Sequence, residues 1–117
     1  MDAIAMTFGV VWTSVGLLCM VLAVPLVRGQ VRPNALYGFR LPQSFRSEEA
    51  WYAINRFGGR KLFIWSPVLI ALGLVSFFMP FRSHPALIVI LACTALVSIL
   101  TPLLITVRFA IRFDAKR

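Results

Sequence analysis

Acidic side chains are scarce in this 117-residue chain, with four Asp and Glu against twelve Lys and Arg, a formal net charge of +8. At depth, its long apolar runs hold no Asp, Glu, Lys, Arg or His. Ion-coupled transporters and pumps place an ionisable group inside the membrane and tolerate its cost, so this absence argues against active transport. The single histidine, His84, falls in a short loop and reads as a solvated residue, not a ligand or pH sensor. The two cysteines, Cys19 and Cys93, sit in different apolar runs. Hydrocarbon surroundings make them poor metal ligands and poor disulfide partners, and small apolar packing is their expected use. No nucleophile–base pattern, no metal-ligand cluster and no phosphate-binding glycine loop occurs. The expectation is no catalytic residue, no cofactor and no metal.

What the chain has in abundance is hydrocarbon: 60% of residues are hydrophobic and the mean hydropathy is +0.87. A soluble domain of this length could not bury so much apolar surface, so lipid must solvate much of it. Uncharged runs separate Asp2 from Arg28, Lys61 from Arg82, and Arg82 from Arg108. Each exceeds the roughly 18 residues that mark a membrane-crossing helix. The fold class predicted is an all-α integral membrane protein, one membrane domain over 1–117, with transmembrane helices near 5–27, 62–81 and 86–108. The first run is read as an anchor, because Asp2 replaces the basic flank of a signal peptide and the run is too long for one.

Seven of the twelve basic residues lie between the first two spans, four follow the third, and only Arg82 occupies the other loop. By the positive-inside rule, the N-terminus is expected outside and the C-terminus in the cytoplasm of a bacterial inner membrane. The charge is assigned to topology and to anionic lipid headgroups, with no nucleic-acid partner.

Gly9, Thr13, Gly16, Met20 and Ala23 recur on one face of the first span, a spacing that lets helix backbones approach closely. Thr94, Ser98 and Thr101 form a polar stripe on the third, able to bond carbonyls one turn back or to reach a neighbour. These two seams make a homo-oligomer an open expectation. Between the second and third spans, Ser83 or His84 is expected to cap the last helix, with Pro85 in its first turn.

The segment 28–61 differs from everything around it. Pro33-Asn34, Gly38 and Pro42 are turn signals, so 28–46 reads as an ordered or partly ordered loop. Ser47 is a good N-cap, and Glu48 and Glu49 suit the positive end of a helix dipole. A short cytoplasmic interfacial helix over about 48–57 is predicted, stopped by Gly58-Gly59, with Trp51, Ile54, Phe57 and Gly58 on one side. Adjacent on a helix, Glu48 and Glu49 diverge by about 100° and cannot act as a facing acid–base pair. Their expected role is capping and ion pairing with Arg40, Arg46 or Arg56.

The run Gly38-Phe39-Arg40-Leu41-Pro42, then Ser47-Glu48-Glu49-Ala50-Trp51, then Asn55-Arg56-Phe57-Gly58-Gly59, resembles the signature of SdpI-like bacterial membrane proteins. Leu41, Gln43 and Arg46 depart from that pattern, which usually has Thr, Trp and Ser there. The resemblance implies motif positions at Gly38, Arg40, Pro42, Ser47, Glu48, Glu49, Trp51, Asn55, Arg56 and Gly58. It also implies a non-enzymatic role in immunity or signalling, with a peptide toxin or a regulatory protein as partner. The family's namesake, a longer protein, resists a secreted killing peptide and is linked to holding a repressor at the membrane. Two other readings stay open: a homo-oligomeric transporter of small solutes or lipids, and an accessory subunit of a larger membrane complex.

Overall fold

The computed structural model of the protein describes residues 2–116. Within them lie three long helices: α1 (Ala3–Val27), α2 (Glu48–Ser76) and α3 (Ala86–Ala115). All three are long and apolar enough to cross a membrane, and no strand occurs among the described residues. The bundle measures 54 × 24 × 21 Å, with α2 central, α1 and α3 packed against it, and one 3₁₀ turn, Pro42–Phe45, in the first connection.

Small side chains hold the helices together. The buried positions of α1 are Ala5, Gly9, Gly16, Ala23 and Leu26, and those of α3 are Ala95, Ser98, Pro102, Thr106 and Ala110. Lipid tails are as apolar as leucine, so association inside a bilayer relies on close backbone approach and dispersion rather than on hydrophobic transfer. The approach is tight at Gly16, where an added Cβ would meet the Ile70 backbone nitrogen at 2.8 Å. Gly73 of α2 lies closer still against Thr13 of α1. The small-residue stripe predicted on the first span is therefore the α1–α2 seam within one chain. On α3 the hydroxyls of Thr94, Ser98 and Thr101 donate to the carbonyls of Ile90, Thr94 and Val97, at 2.7–2.8 Å.

At one end, the Asp2 side chain caps α1 by accepting from the Ile4 N–H at 2.9 Å and also accepts from the Arg82 N–H at 2.8 Å. The Arg82 guanidinium lies 3.5 Å from the same carboxylate, and Phe8 and Phe81 meet edge to face. Partial burial pushes the Asp2 carboxyl upward, but the two N–H donors and the Arg82 charge outweigh it and hold the group below its ordinary value. The cap expected from Ser83 or His84 does not form. Pro85 itself is the N-cap residue of α3, with no side-chain bond, and backbone bonds from Leu87 and Ile88 to the His84 and Pro85 carbonyls wind the first turn.

Two boundaries correct the sequence reading. The separate helix over 48–57 does not exist, because α2 passes through Gly58 and Gly59 to Ser76 without a break. A glycine stops a helix by adopting positive φ, which among the described residues only Gly29 and Gly38 do. Gly58 and Gly59 serve close approach instead: an added Cβ would lie 2.5 Å from the Phe39 ring at Gly58 and 3.1 Å from the Ala23 carbonyl at Gly59. The third helix also runs past the expected end near residue 108 to Ala115, since Phe109, Ala110 and Phe113 pack against Ala50 and Ile54 of α2.

Candidate functional site

The connection between α1 and α2 is pinned at nearly every turn. Helix α1 ends in a Schellman motif, in which Gly29, at φ +68°, donates to the Leu26 carbonyl and Gln30 to the Pro25 carbonyl. The Arg56 Nε donates to the Val27 carbonyl at 3.3 Å, which places a cation at the negative end of the α1 dipole. The chain then passes Val31, whose carbonyl accepts from the indole N–H of fully buried Trp51 at 2.8 Å. Asn34 closes the next turn: its Oδ1 accepts from the Leu36 and Tyr37 amides, and its Nδ2 donates to the Arg32 and Tyr37 carbonyls. The Tyr37 hydroxyl donates to the Leu22 carbonyl, tying the loop to the side of α1.

Gly38 and Asn55 form the central lock. Gly38 sits at φ +114°, a region that L side chains rarely adopt, and an added Cβ would lie 2.7 Å from Asn55 Oδ1. This reversal presents Phe39 to Asn55, which is 2% exposed. The Phe39 N–H donates to Asn55 Oδ1 at 2.6 Å, while Asn55 Nδ2 donates to the Trp51 carbonyl at 2.9 Å and to the Phe39 carbonyl at 3.4 Å. Buried Ser44, in the 3₁₀ turn that Pro42 begins, donates to the same Phe39 carbonyl at 2.8 Å. The Phe39 ring packs on Gly58 beside Thr106, wedged between α2 and α3. Phe57 stacks on Phe109 at 4.0 Å, and Phe45 rests on Trp51 at 5.3 Å.

The ten motif positions divide by what they touch. Gly38, Ser47, Trp51, Asn55, Arg56 and Gly58 build the loop: Ser47 Oγ accepts from the Ala50 N–H at 3.0 Å as the N-cap of α2, and the other five make the contacts above. Arg40, Pro42, Glu48 and Glu49 are exposed. The pairing expected of the glutamates is not found: among the described residues, no ion pair joins Glu48 or Glu49 to Arg40, Arg46 or Arg56. Arg46 turns away to Asp114 at 3.2 Å, because α3 continues far enough to bring that carboxylate beside the 3₁₀ turn. Arg40 likewise makes no ion pair or side-chain hydrogen bond among the described residues. The result is a pinned loop whose motif cation Arg40, with the two carboxylates at the start of α2, is exposed and makes no ion pair among the described residues.

Sequence reasoning missed Tyr37, Ser44 and Asp114. Tyr37 and Asp114 act on groups distant in sequence, and Ser44 reaches the Phe39 carbonyl five residues back only through the 3₁₀ turn, so no local pattern marks these contacts. No group of three or more His, Cys, Asp or Glu gathers among the described residues.

A sequence model of the SdpI/YfhL protein family matches residues 30–106, which hold the loop, the whole of α2 and α3 as far as Thr106. The Asn55 lock and the Phe39–Gly58–Thr106 wedge thus fall inside the matched region. No match was found among the curated proteins or among the solved structures.

Proposed function

The chain belongs to the SdpI/YfhL protein family, and from that premise we propose that its basic end recognises a peptide or protein partner without catalysis, in immunity or signalling. One observation carries this reading: six motif residues pin the 28–47 loop, and the loop and the first turn of α2 together display Arg40, Glu48 and Glu49 exposed and without an ion pair. A preorganised loop loses little conformational entropy on binding, and exposed charges of both signs select a complementary partner. The role assigned to this end is therefore recognition, set on a bacterial inner membrane.

The distribution of charge supports the orientation. Eleven of the twelve Lys and Arg lie between Arg28 and Lys61, in the α1–α2 connection and the first turns of α2, or from Arg108 onward, so this end is read as cytoplasmic and Asp2 as outside. Cysteines placed near Asp2 and Ser83 should react with an impermeant reagent added to intact cells, and one near Gln43 should not. The opposite labelling would reverse the orientation. For the role itself, the chain is expressed in a sensitive host and challenged with a broad panel of membrane-active peptides. Selective survival is expected, and unchanged killing across the panel would remove immunity from the proposal. A homo-oligomeric transporter gains little from the bundle, since the stripe on α1 is already filled by α2.

A further inference from the structure

Near the last turn of α1, a groove of about 340 Å³ opens between α1 and α2, lined by Val24, Val27, Phe63 and Ile64 with Arg28 and Arg60 at its rim. Its volume is at the small end of the range of ligand clefts, roughly 300–1,000 Å³. Apolar walls with two exposed arginines among the lining residues match a phospholipid in kind, with an acyl segment between the helices and a phosphate within reach of the two side chains. We propose that this groove is a specific site for one anionic phospholipid, independent of the loop surface assigned to partner recognition.

Three features make the site more than a generic basic rim. First, both arginines are exposed and unpaired: among the described residues neither makes an ion pair or side-chain hydrogen bond, so both are free for a phosphate. Guanidinium groups suit that role because their forked donors bind phosphate oxygens in pairs. Second, the negative end of the α1 dipole, which would repel an anion, is already answered. The Schellman bonds satisfy the Leu26 and Pro25 carbonyls, and Arg56 covers the Val27 carbonyl. Third, no acidic residue intrudes. Asp2 lies at the opposite end with Arg82, Asp114 pairs with Arg46, and neither Glu48 nor Glu49 lines the groove. Depth is also consistent: Ile64 lies one helical turn, about 6 Å, below Arg60, the depth of an upper acyl chain beneath its headgroup.

The test uses the full chain in mild detergent, with native mass spectrometry reading bound phosphatidylglycerol against phosphatidylcholine across a titration. A single strongly retained phosphatidylglycerol is expected. Losing a charge-assisted hydrogen bond to a phosphate costs about tenfold or more, so R28Q/R60Q should weaken retention by at least about tenfold. R32Q/R112Q, which removes equal charge from the same end away from the groove, should weaken retention clearly less than R28Q/R60Q. I64W fills the apolar floor without touching either arginine and should also release the lipid. Both arginines and Ile64 are exposed, and circular dichroism with the thermal midpoint confirms that each variant is folded. Equal losses in the two double variants would reduce the effect to diffuse charge and overturn the site. So would displacement by inorganic phosphate alone, which would make the occupant a soluble anion, or a dimer in place of the lipid adduct.

Discussion

Truncating Asn55 to alanine is the most informative perturbation of the lock. It removes the acceptor of the Phe39 N–H and both Nδ2 donations, to the Trp51 and Phe39 carbonyls. Leaving a buried donor without a partner costs about 1–3 kcal/mol, and each net hydrogen bond lost adds about 1 kcal/mol. The Phe39 carbonyl keeps its bond from Ser44, so the second term is small. A loss of about 2–3 kcal/mol for the docked loop follows, which is roughly a 30- to 160-fold change in its opening equilibrium. Hydrogen exchange of the 36–41 backbone in detergent reads this opening directly. Ser44→Ala removes only one of the two donors to the Phe39 carbonyl and should raise exchange about fivefold. Exchange in Asn55→Ala equal to wild type, or smaller in effect than Ser44→Ala, would refute the assignment of Asn55 as the lock.

Other perturbations separate the remaining contacts. Gly58→Val should drive Phe39 and Thr106 apart and lower the thermal midpoint by the equivalent of about 1–3 kcal/mol, since the new atoms have no free space. Gly38→Ala should cost about as much through backbone strain, and protease cleavage in the loop should rise while the α1–α2 seam stays intact. Arg46→Ala should change stability by only about 0–1 kcal/mol, because the Arg46 side chain of the pair with Asp114 is 57% exposed; a larger drop in midpoint would show a further role. The Asp2 carboxyl is held below its ordinary value, so its contribution is present above that value and lost as pH falls through the lowered one. The protection factor of the Arg82 amide should therefore collapse only in strong acid, and Asp2→Asn should remove that pH dependence.

The three spans were legible because uncharged runs of that length have few alternatives to a bilayer. The Ser47 cap was legible too, since an N-cap acts on backbone three residues away. Gly58 and Gly59 were misread because glycine has two uses, ending a helix and admitting a neighbour, and only the neighbours decide between them. Here Phe39, Thr106 and Ala23 occupy the space. The partner of Arg46 was misassigned because local glutamates were visible in the sequence, whereas Asp114 arrives only through the full length of α3. Family resemblance marked Asn55 as a motif position but not as the residue that holds Phe39, a contact that exists only once the loop has folded back on α2.

Recognition by Arg40, Glu48 and Glu49 is tested most directly by affinity purification from the native membrane, wild type beside R40A/E48Q/E49Q. A bound peptide or protein should accompany the wild-type chain and be lost from the variant, whose 36–41 amides stay protected. Recovery of the same partner by both chains, or of none by the wild type, would contradict the account.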